Sequence, residues 1–259
     1  MDDEVREEIK MALAEGVRFD GRKPLEFREI TIEKGVIDTA EGSARVKIGN
    51  TEVLCGVKME IGTPYPDTPD EGTISVNAEF LPIASPDFEA GPPGDAAVEL
   101  ARVVDRGLRE AKVVDFKGLC IAPGEKCWIV NIDICTVNAD GNLIDASGIA
   151  ALAALQDTKL PKFDGEKLDY HQKTEERLPI KRHAIPITVV KFGQNLIVDP
   201  SAVEEKVLEA RLTAAVTERG TISALQKGGD FPITIDEVSR MIDIAIEKAS
   251  ELRRKLEEA

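Results

Sequence analysis

Four strand-like runs follow one another between Arg28 and Phe80, separated by short turns and one loop, and this constrains the fold more than any other feature. They cover Arg28 to Glu33, Ser43 to Ile48, Val53 to Ile61 and Thr73 to Phe80. In the last of them Ile74, Val76, Ala78 and Phe80 alternate with Ser75, Asn77 and Glu79, the pattern of a half-buried strand. Gly49-Asn50 is a tight-turn signal between two runs. Cys127 to Val137 repeats the period, with Trp128, Val130, Ile132 and Ile134 on one face and Asn131 and Asp133 on the other. Most adjacent strands read as hairpin-joined, which favours an α+β fold over a doubly wound sheet.

Helices are interspersed with these strands. Residues 3 to 15 form an amphipathic pattern with Val5, Ile9, Ala12 and Leu13 on one face, and Arg18-Phe-Asp-Gly-Arg22 then turns the chain. Asp145 to Gln156 is a small-residue helix suited to close packing on a sheet. Ser201 to Glu204 and Thr234 to Glu237 are capping boxes. The first predicts a helix reaching about Glu218, and the second a C-terminal helix through Met241, Ala245 and Leu252. Ile185 to Lys191 and Leu196 to Val198 read as a hairpin around Gly193, and Thr221 to Leu225 as a strand. Residues 62–71 and 82–95 read as loops, and the polar stretch 159–182 as a linker or long loop. The expected organisation is an N-terminal helix and lead-in over 1–27, then two mixed sheet and helix subdomains over 28–165 and 184–259.

Composition narrows the function classes. With 42% hydrophobic residues the chain can bury a core, and at 31% charged it lacks the bias of a disordered protein. No apolar run approaches the roughly 20 residues that span a bilayer. The acidic N-terminus does not read as a signal peptide. The expectation is a cytoplasmic protein. A net charge of −15 argues against a free-standing nucleic-acid binder, because phosphate contacts need a positive surface. Any such contact must be local, or a partner must supply the positive field. Cys55, Cys120, Cys127 and Cys135 form no C-x-x-C pair and read as reduced core thiols. His171 and His183 stand apart from each other and from metal-ligand spacing, so no metal or cofactor is expected.

Against this acidic background one helix carries a basic stripe. In Glu99 to Glu110, Leu100, Val103, Val104, Gly107, Leu108 and Ala111 recur at helical spacing. At ~100° per residue, Arg102, Arg106 and Arg109 fall within roughly 60° of arc opposite that face. Like charges at this spacing destabilise a helix by about 0.2–0.5 kcal/mol, so an anion is one candidate for what compensates them. The plainer reading is a solvated face tempered by Glu99, Asp105 and Glu110. Phosphate loops, dinucleotide fingerprints, zincin motifs and nucleophile elbows are all missing. Glu79, Asp133 and Asp140 carry little weight individually in so acidic a chain, and Asp140-Gly141 is ordinary turn chemistry.

Three segments together resemble RNase PH-type phosphorolytic exoribonucleases: Ser43-Ala-Arg-Val-Lys-Ile-Gly-Asn-Thr-Glu-Val-Leu-Cys55, the arginine helix, and Asn138-Ala-Asp-Gly141. Within that family, Ala84-Ser-Pro-Asp-Phe-Glu-Ala-Gly-Pro-Pro-Gly94 and Ile197-Val-Asp-Pro-Ser201 look most like the non-catalytic subunit of the archaeal exosome ring. The resemblance implies an RNase PH-like fold and an alternating hexamer of three heterodimers with a catalytic subunit. It also implies RNA-binding cap subunits and single-stranded RNA as partners. Active members follow the Ala-Asp-Gly turn with Gly-Ser/Thr-Arg, whose hydroxyl and guanidinium hold phosphate; here it continues Asn142-Leu143-Ile144. Active members also carry an acidic Asp before the first strand of the second domain, where this chain has Arg182-His183-Ala184-Ile185. The resemblance therefore implies no catalytic residues, with Arg102, Arg106 and Arg109 as candidate RNA-binding residues. A self-sufficient phosphorolytic exoribonuclease and a scaffold without RNA contact are the alternatives.

Overall fold

A computed structural model describes residues 2–259, with the side chains of Asp2, Asp3 and His171 left aside, so the reading of His171 lies outside the described residues. Helix α1 (Asp2–Ala14) leads into β1 (Ile30–Lys34), β2 (Gly42–Ile48), β3 (Thr51–Gly62) and β4 (Thr73–Phe80). After these come α2 (Asp95–Ala111), β5 (Cys120–Ala122), β6 (Lys126–Asn138) and α3 (Leu143–Asp157). A hairpin of β7 (Lys159–Phe163) and β8 (Leu168–Arg177) precedes β9 (Ile185–Phe192), β10 (Asn195–Val198), α4 (Ala202–Val207), β11 (Ala210–Val216), β12 (Ile222–Gly228) and α5 (Ile235–Glu258). The first sheet has the order β1-β2-β3-β6-β4, with β5 paired to β6. Only the β4–β6 pair is parallel in it, and α2 lies in the long connection that this pairing requires. The second sheet, β10-β9-β11-β12, is antiparallel throughout.

Helix α3 explains how the two sheets become one body. Every residue from Ile144 to Leu155 is buried, as expected of a helix that is apolar all round. It packs on β2 and β3 of the first sheet, on β9 of the second, and on α2. Its small residues permit this: a Cβ on Gly148 would stand 2.1 Å from Pro186 Cγ of β9. The main core runs without a break from Val46, Cys55 and Ile132 through α3 to Ile187, Met241 and Leu252. A second, smaller core joins Ile9 and Leu13 of α1 to Val190, Phe192 and Ile197. Helix α2 lies along the seam, touching β4 of one sheet and β9 and β12 of the other.

The α+β reading, the Gly49-Asn50 turn, the Gly193 hairpin and both capping boxes are present in the structure. Two expectations are corrected. The stretch 159–182 holds the β7–β8 hairpin, with Asp164 accepting from the backbone of Glu166 and Lys167 at its turn. Its strands are largely polar on both faces, so no period of two betrays them. The helix opened by Ser201 stops at Val207, and Ala210–Val216 is instead a central strand. A strand buried on both faces reads as a continuous apolar run, which periodicity does not distinguish from a helix segment.

Candidate functional site

Helix α2 buries Ala97, Leu100, Ala101, Val104, Gly107, Leu108 and Ala111, so its opposite face is left to the arginines. Arg102 and Arg106 are exposed, one turn and about 6 Å apart along the axis. Among the described residues neither has an ion pair or a hydrogen bond. Two of the acidic neighbours that would temper the stripe are already paired, while Glu110 is exposed one turn from Arg106. Glu99 pairs with Arg211 of β11 at 2.7 Å, and Asp105 pairs with Arg109 at 2.7 Å. Arg109 also donates to the Ile74 carbonyl at 2.7 Å and to Thr73 Oγ1 at 3.3 Å, which folds it down onto β4. The hydrogen bond to Asp105 raises its pKa further, against the cost of burial. The stripe therefore divides into two free guanidinium groups and one that fastens the helix to the sheet. All three line an open groove of about 530 Å³, together with Tyr65, Thr73 and Asn131.

On the other side of α2, the turn at Asn138–Gly141 delivers the chain to α3. Gly141 has φ +83° and packs against the backbone of Pro200 and Ser201; a Cβ there would lie 2.4 Å from the Pro200 carbonyl. Asn142 caps α3 in a left-handed conformation, φ 57°. Its backbone N–H donates to Glu205 Oε1 at 2.8 Å, and its side-chain amide to Asp199 Oδ1 at 2.9 Å. A cleft of about 350 Å³ opens here, lined by Phe80, Leu100, Leu143, Ile144, Glu205 and Arg211 among others. Its polar groups are poorly suited to an anion. Arg211 is held by Glu99, while burial raises the Glu205 carboxyl against the partial relief of the Asn142 amide.

Asp199 gathers the lead-in to this turn. The carboxylate is fully buried and accepts from Arg22 Nη1 at 2.7 Å, from Arg28 Nη2 at 2.7 Å and Nε at 2.9 Å, and from the Arg28 backbone at 2.8 Å. Burial pushes its pKa up, but the hydrogen bonds and charges of Arg28 and Arg22 outweigh this and hold it below the usual range. Arg28 in turn donates to the Asp140 carbonyl at 2.7 Å. Arg18, also buried, binds Glu204 and the carbonyls of Val198 and Asp199. Beneath the turn, Asp145 is fully buried, has no cationic partner among the described residues, and accepts from Thr188 N at 3.1 Å and Oγ1 at 2.7 Å. Burial raises its pKa to about 7.

The remaining sequence candidates have structural surroundings. Ala184 is buried and packs with Val103, Gly107 and Pro186 in an apolar contact between α2 and β9. His183 Nε2 lies 3.4 Å from Gln156, and its backbone N–H donates to Glu218. Asp140 accepts from Asn50 at 3.2 Å, as a turn residue does. All four cysteines are free thiols, Cys55 and Cys127 buried and Cys120 and Cys135 partly so. Local spacing did not single out Asp199, Glu205 or Asp145. Their partners from other elements lie between 43 and 177 residues away in sequence.

Residues 26–161 match domain 1 of the 3′ exoribonuclease (RNase PH) family, and residues 184–248 match its domain 2. The chain belongs to this family. The exosome complex component Rrp42 of Methanothermobacter thermautotrophicus is 48% identical, the match covering 93% of this chain and 90% of the relative. That of Thermococcus gammatolerans is also 48% identical, over 98% and 94%. Among solved structures, a chain of the Archaeoglobus fulgidus exosome with RNA bound to the active site superposes with a TM-score of 0.90 at 44% identity, covering 98% of both chains. A chain of an archaeal exosome core gives 0.86 at 41%, over 99% of this chain and 97% of that one. In this RNase PH fold the arginine groove and the apolar cleft lie on two sides of one helix, α2.

Proposed function

We propose that this chain is a catalytically inactive subunit of an archaeal exosome, a ring that degrades RNA from the 3′ end with phosphate as co-substrate. Its partner is an active RNase PH-type subunit. Three such pairs alternate in a hexamer, and RNA-binding cap subunits sit on one face. The names and structures of its similar proteins support the exosome assignment. The division into 28–165 and 184–259 and a cytoplasmic location belong to the same reading.

The observation that carries the inactivity is the cleft at the start of α3. Phosphorolysis depends on preorganised donors around an anion. The side chains of Leu143 and Ile144 offer none, and the carboxylate of Glu205 already takes the Asn142 amide at 2.8 Å. Ala184, buried among apolar side chains, supplies no acid at the second position. The chain's contribution is then positional. Arg102 and Arg106 engage phosphates of the incoming strand, Arg109 keeps α2 docked on β4, and the outer surface shapes the partner's active site. The −15 charge leaves most of the positive field to the partner.

The test is release of nucleoside diphosphate from RNA in the presence of phosphate. The isolated chain is expected to give none, and the co-assembled ring to give robust turnover. Turnover by the chain purified free of its partner would overturn the assignment.

A further inference from the structure

We propose that Cys120 and Cys127 are a redox modification site, a dithiol that a low-molecular-weight disulfide converts into a reversible bridge bracing the β5–β6 hairpin. Strand register carries the inference. Cys120 of β5 stands directly opposite Cys127 of β6, so the two side chains leave the sheet on the same face. The Cys120 N–H donates to the Lys117 carbonyl at 3.1 Å, and the next residue along β6, Trp128, donates its N–H to the Leu119 carbonyl at 2.8 Å. The two cysteines are therefore a non-hydrogen-bonded antiparallel pair. In such pairs the Cα atoms approach to about 4.5 Å and the side chains are at their closest. That separation lies within the span of about 4.4–6.8 Å that a disulfide bridges. The other two cysteines have no such relation. Cys55 opposes Ile134 and Cys135 opposes Leu54, which puts their thiols on opposite faces of the sheet. Cys135 also lies roughly 26 Å along β6 from Cys127.

Access and reactivity assign the order of events. Cys127 is buried and Cys120 only partly so. Burial pushes the Cys127 thiol up, and the neighbouring Cys120 adds to the effect. Cys120 is thus the sulfur that meets the oxidant. Its thiolate attacks one sulfur of the small disulfide, the S–S bond breaks, and one thiolate leaves and takes up a proton. The Cys127 thiolate then attacks the Cys120 sulfur of the mixed disulfide and expels the second thiolate. Two cysteine thiols are oxidised, and the small disulfide is reduced to two thiols. The hairpin has use for a brace. Strand β5 is three residues long, and its register with β6 breaks between Cys120 and Ala122. The same hairpin holds the loop between β3 and β4, through Gly124 N–H to the Pro69 carbonyl at 2.8 Å, and that loop contributes to the wall of the arginine groove.

The test equilibrates the full chain, natively folded, with mixtures of reduced and oxidised glutathione. Acid quenching, alkylation in denaturant, intact mass and peptide mapping then read the thiols. The expected product is one intramolecular bridge joining Cys120 to Cys127, with Cys55 and Cys135 alkylated, and with dithiothreitol restoring all four thiols. Cys127→Ser is expected to stop at the mixed disulfide, carrying one glutathione on Cys120. Cys120→Ser is expected to leave Cys127 reduced. Because the bridge closes a short loop, the oxidised chain is expected to unfold about 2–5 °C higher than the reduced one, and to lose that gain on reduction. Four free thiols in the parent chain under excess oxidised glutathione would overturn the proposal. So would a stable glutathione adduct on Cys120 of the parent chain, since Cys127 would then be out of reach, or a bridge involving Cys55 or Cys135. A bridge that forms without raising the midpoint would overturn its role as a brace. The measurements on the parent chain need no variant to fold.

Discussion

Removing one charge at Asp199 should loosen the seam between the lead-in, the 138–142 turn and the second sheet. Asp199 has φ 49°, a left-handed conformation that Asn tolerates nearly as well as Asp, so Asp199→Asn changes charge with little added backbone strain. The carboxylate takes five donors on two oxygens: Arg22 Nη1, Arg28 N, Nε and Nη2, and Asn142 Nδ2. An amide in its place turns a donor toward donors and removes the buried counterion of two arginine side chains, each 11% exposed, leaving Arg22 with the exposed Asp20 and Arg28 with Asp140 at 3.5 Å. Breaking a buried pair in this way costs about 3–5 kcal/mol. For a chain of 259 residues the unfolding entropy is about 0.5 kcal/mol per kelvin, so the midpoint should fall by roughly 6–10 °C. The pH dependence gives the second check. The folded pKa lies below the unfolded one, so the stabilisation is complete above about pH 4 and fades as the pH falls through the folded value. The deficit of the variant should therefore shrink toward acid pH. Denaturant and thermal unfolding of the purified chain across pH 3 to 7 provide the measurement. A deficit below about 1 kcal/mol at pH 7, or one that does not change with pH, would refute the reasoning.

Asp145 has the opposite sign. Its folded pKa is raised to about 7, so the folded state keeps a proton that the unfolded chain releases above about pH 4. Wild-type stability should fall as pH rises from about 4 to about 7, and Asp145→Asn should gain on it by up to about 4 kcal/mol over that window, measured by urea unfolding at fixed pH values. Arg102→Glu with Arg106→Glu should leave the fold within about 0.5 kcal/mol, since both side chains are exposed and unpaired. The assembled ring should then bind RNA more weakly, with the salt slope lowered by roughly 0.7 per lost phosphate contact; binding titrations giving the parent slope and affinity would return the stripe to a solvated face.

What was legible in the sequence follows the range of the interactions. Alternation in 73–80 and 127–137 and the capping boxes at Ser201 and Thr234 are written within a few residues, and these strands and helix starts are where the sequence places them. The arginine stripe was legible for the same reason. Its division was not, because Arg109 is drawn in by Thr73 and Ile74, about 35 residues upstream. Strand β11 was hidden by its surroundings: Leu212 to Val216 are buried on both faces, so the cue that separates strand from helix is erased. The β7–β8 hairpin was hidden by the reverse, an excess of polar residues on both faces. Asp199, Glu205 and Asp145 acquire their roles only through partners brought together by the fold. In the sequence they are three carboxylates among 48 acidic residues.

On the proposed reading, loss of phosphate chemistry in this chain involves more than two missing side chains. At the start of α3 the amide of Asn142 and the positive end of the helix form a weak anion site, and Glu205 from α4 occupies it from within. Restoring the hydroxyl and the guanidinium alone, as Leu143→Ser with Ile144→Arg, would place phosphate against a carboxylate that cannot move away without abandoning its hydrogen bond. Like charges at close range in a half-buried site repel by a few kcal/mol, enough to offset what one new arginine supplies. The double variant is therefore expected to show no phosphate binding at millimolar concentration. Adding Glu205→Gln, which keeps an acceptor for the amide but removes the charge, is expected to permit it. Calorimetric titration with inorganic phosphate distinguishes the two, with thermal unfolding to confirm that each variant is folded. Equal binding by the double and triple variants, or no binding by either, would show that the Glu205 carboxylate does not guard the site.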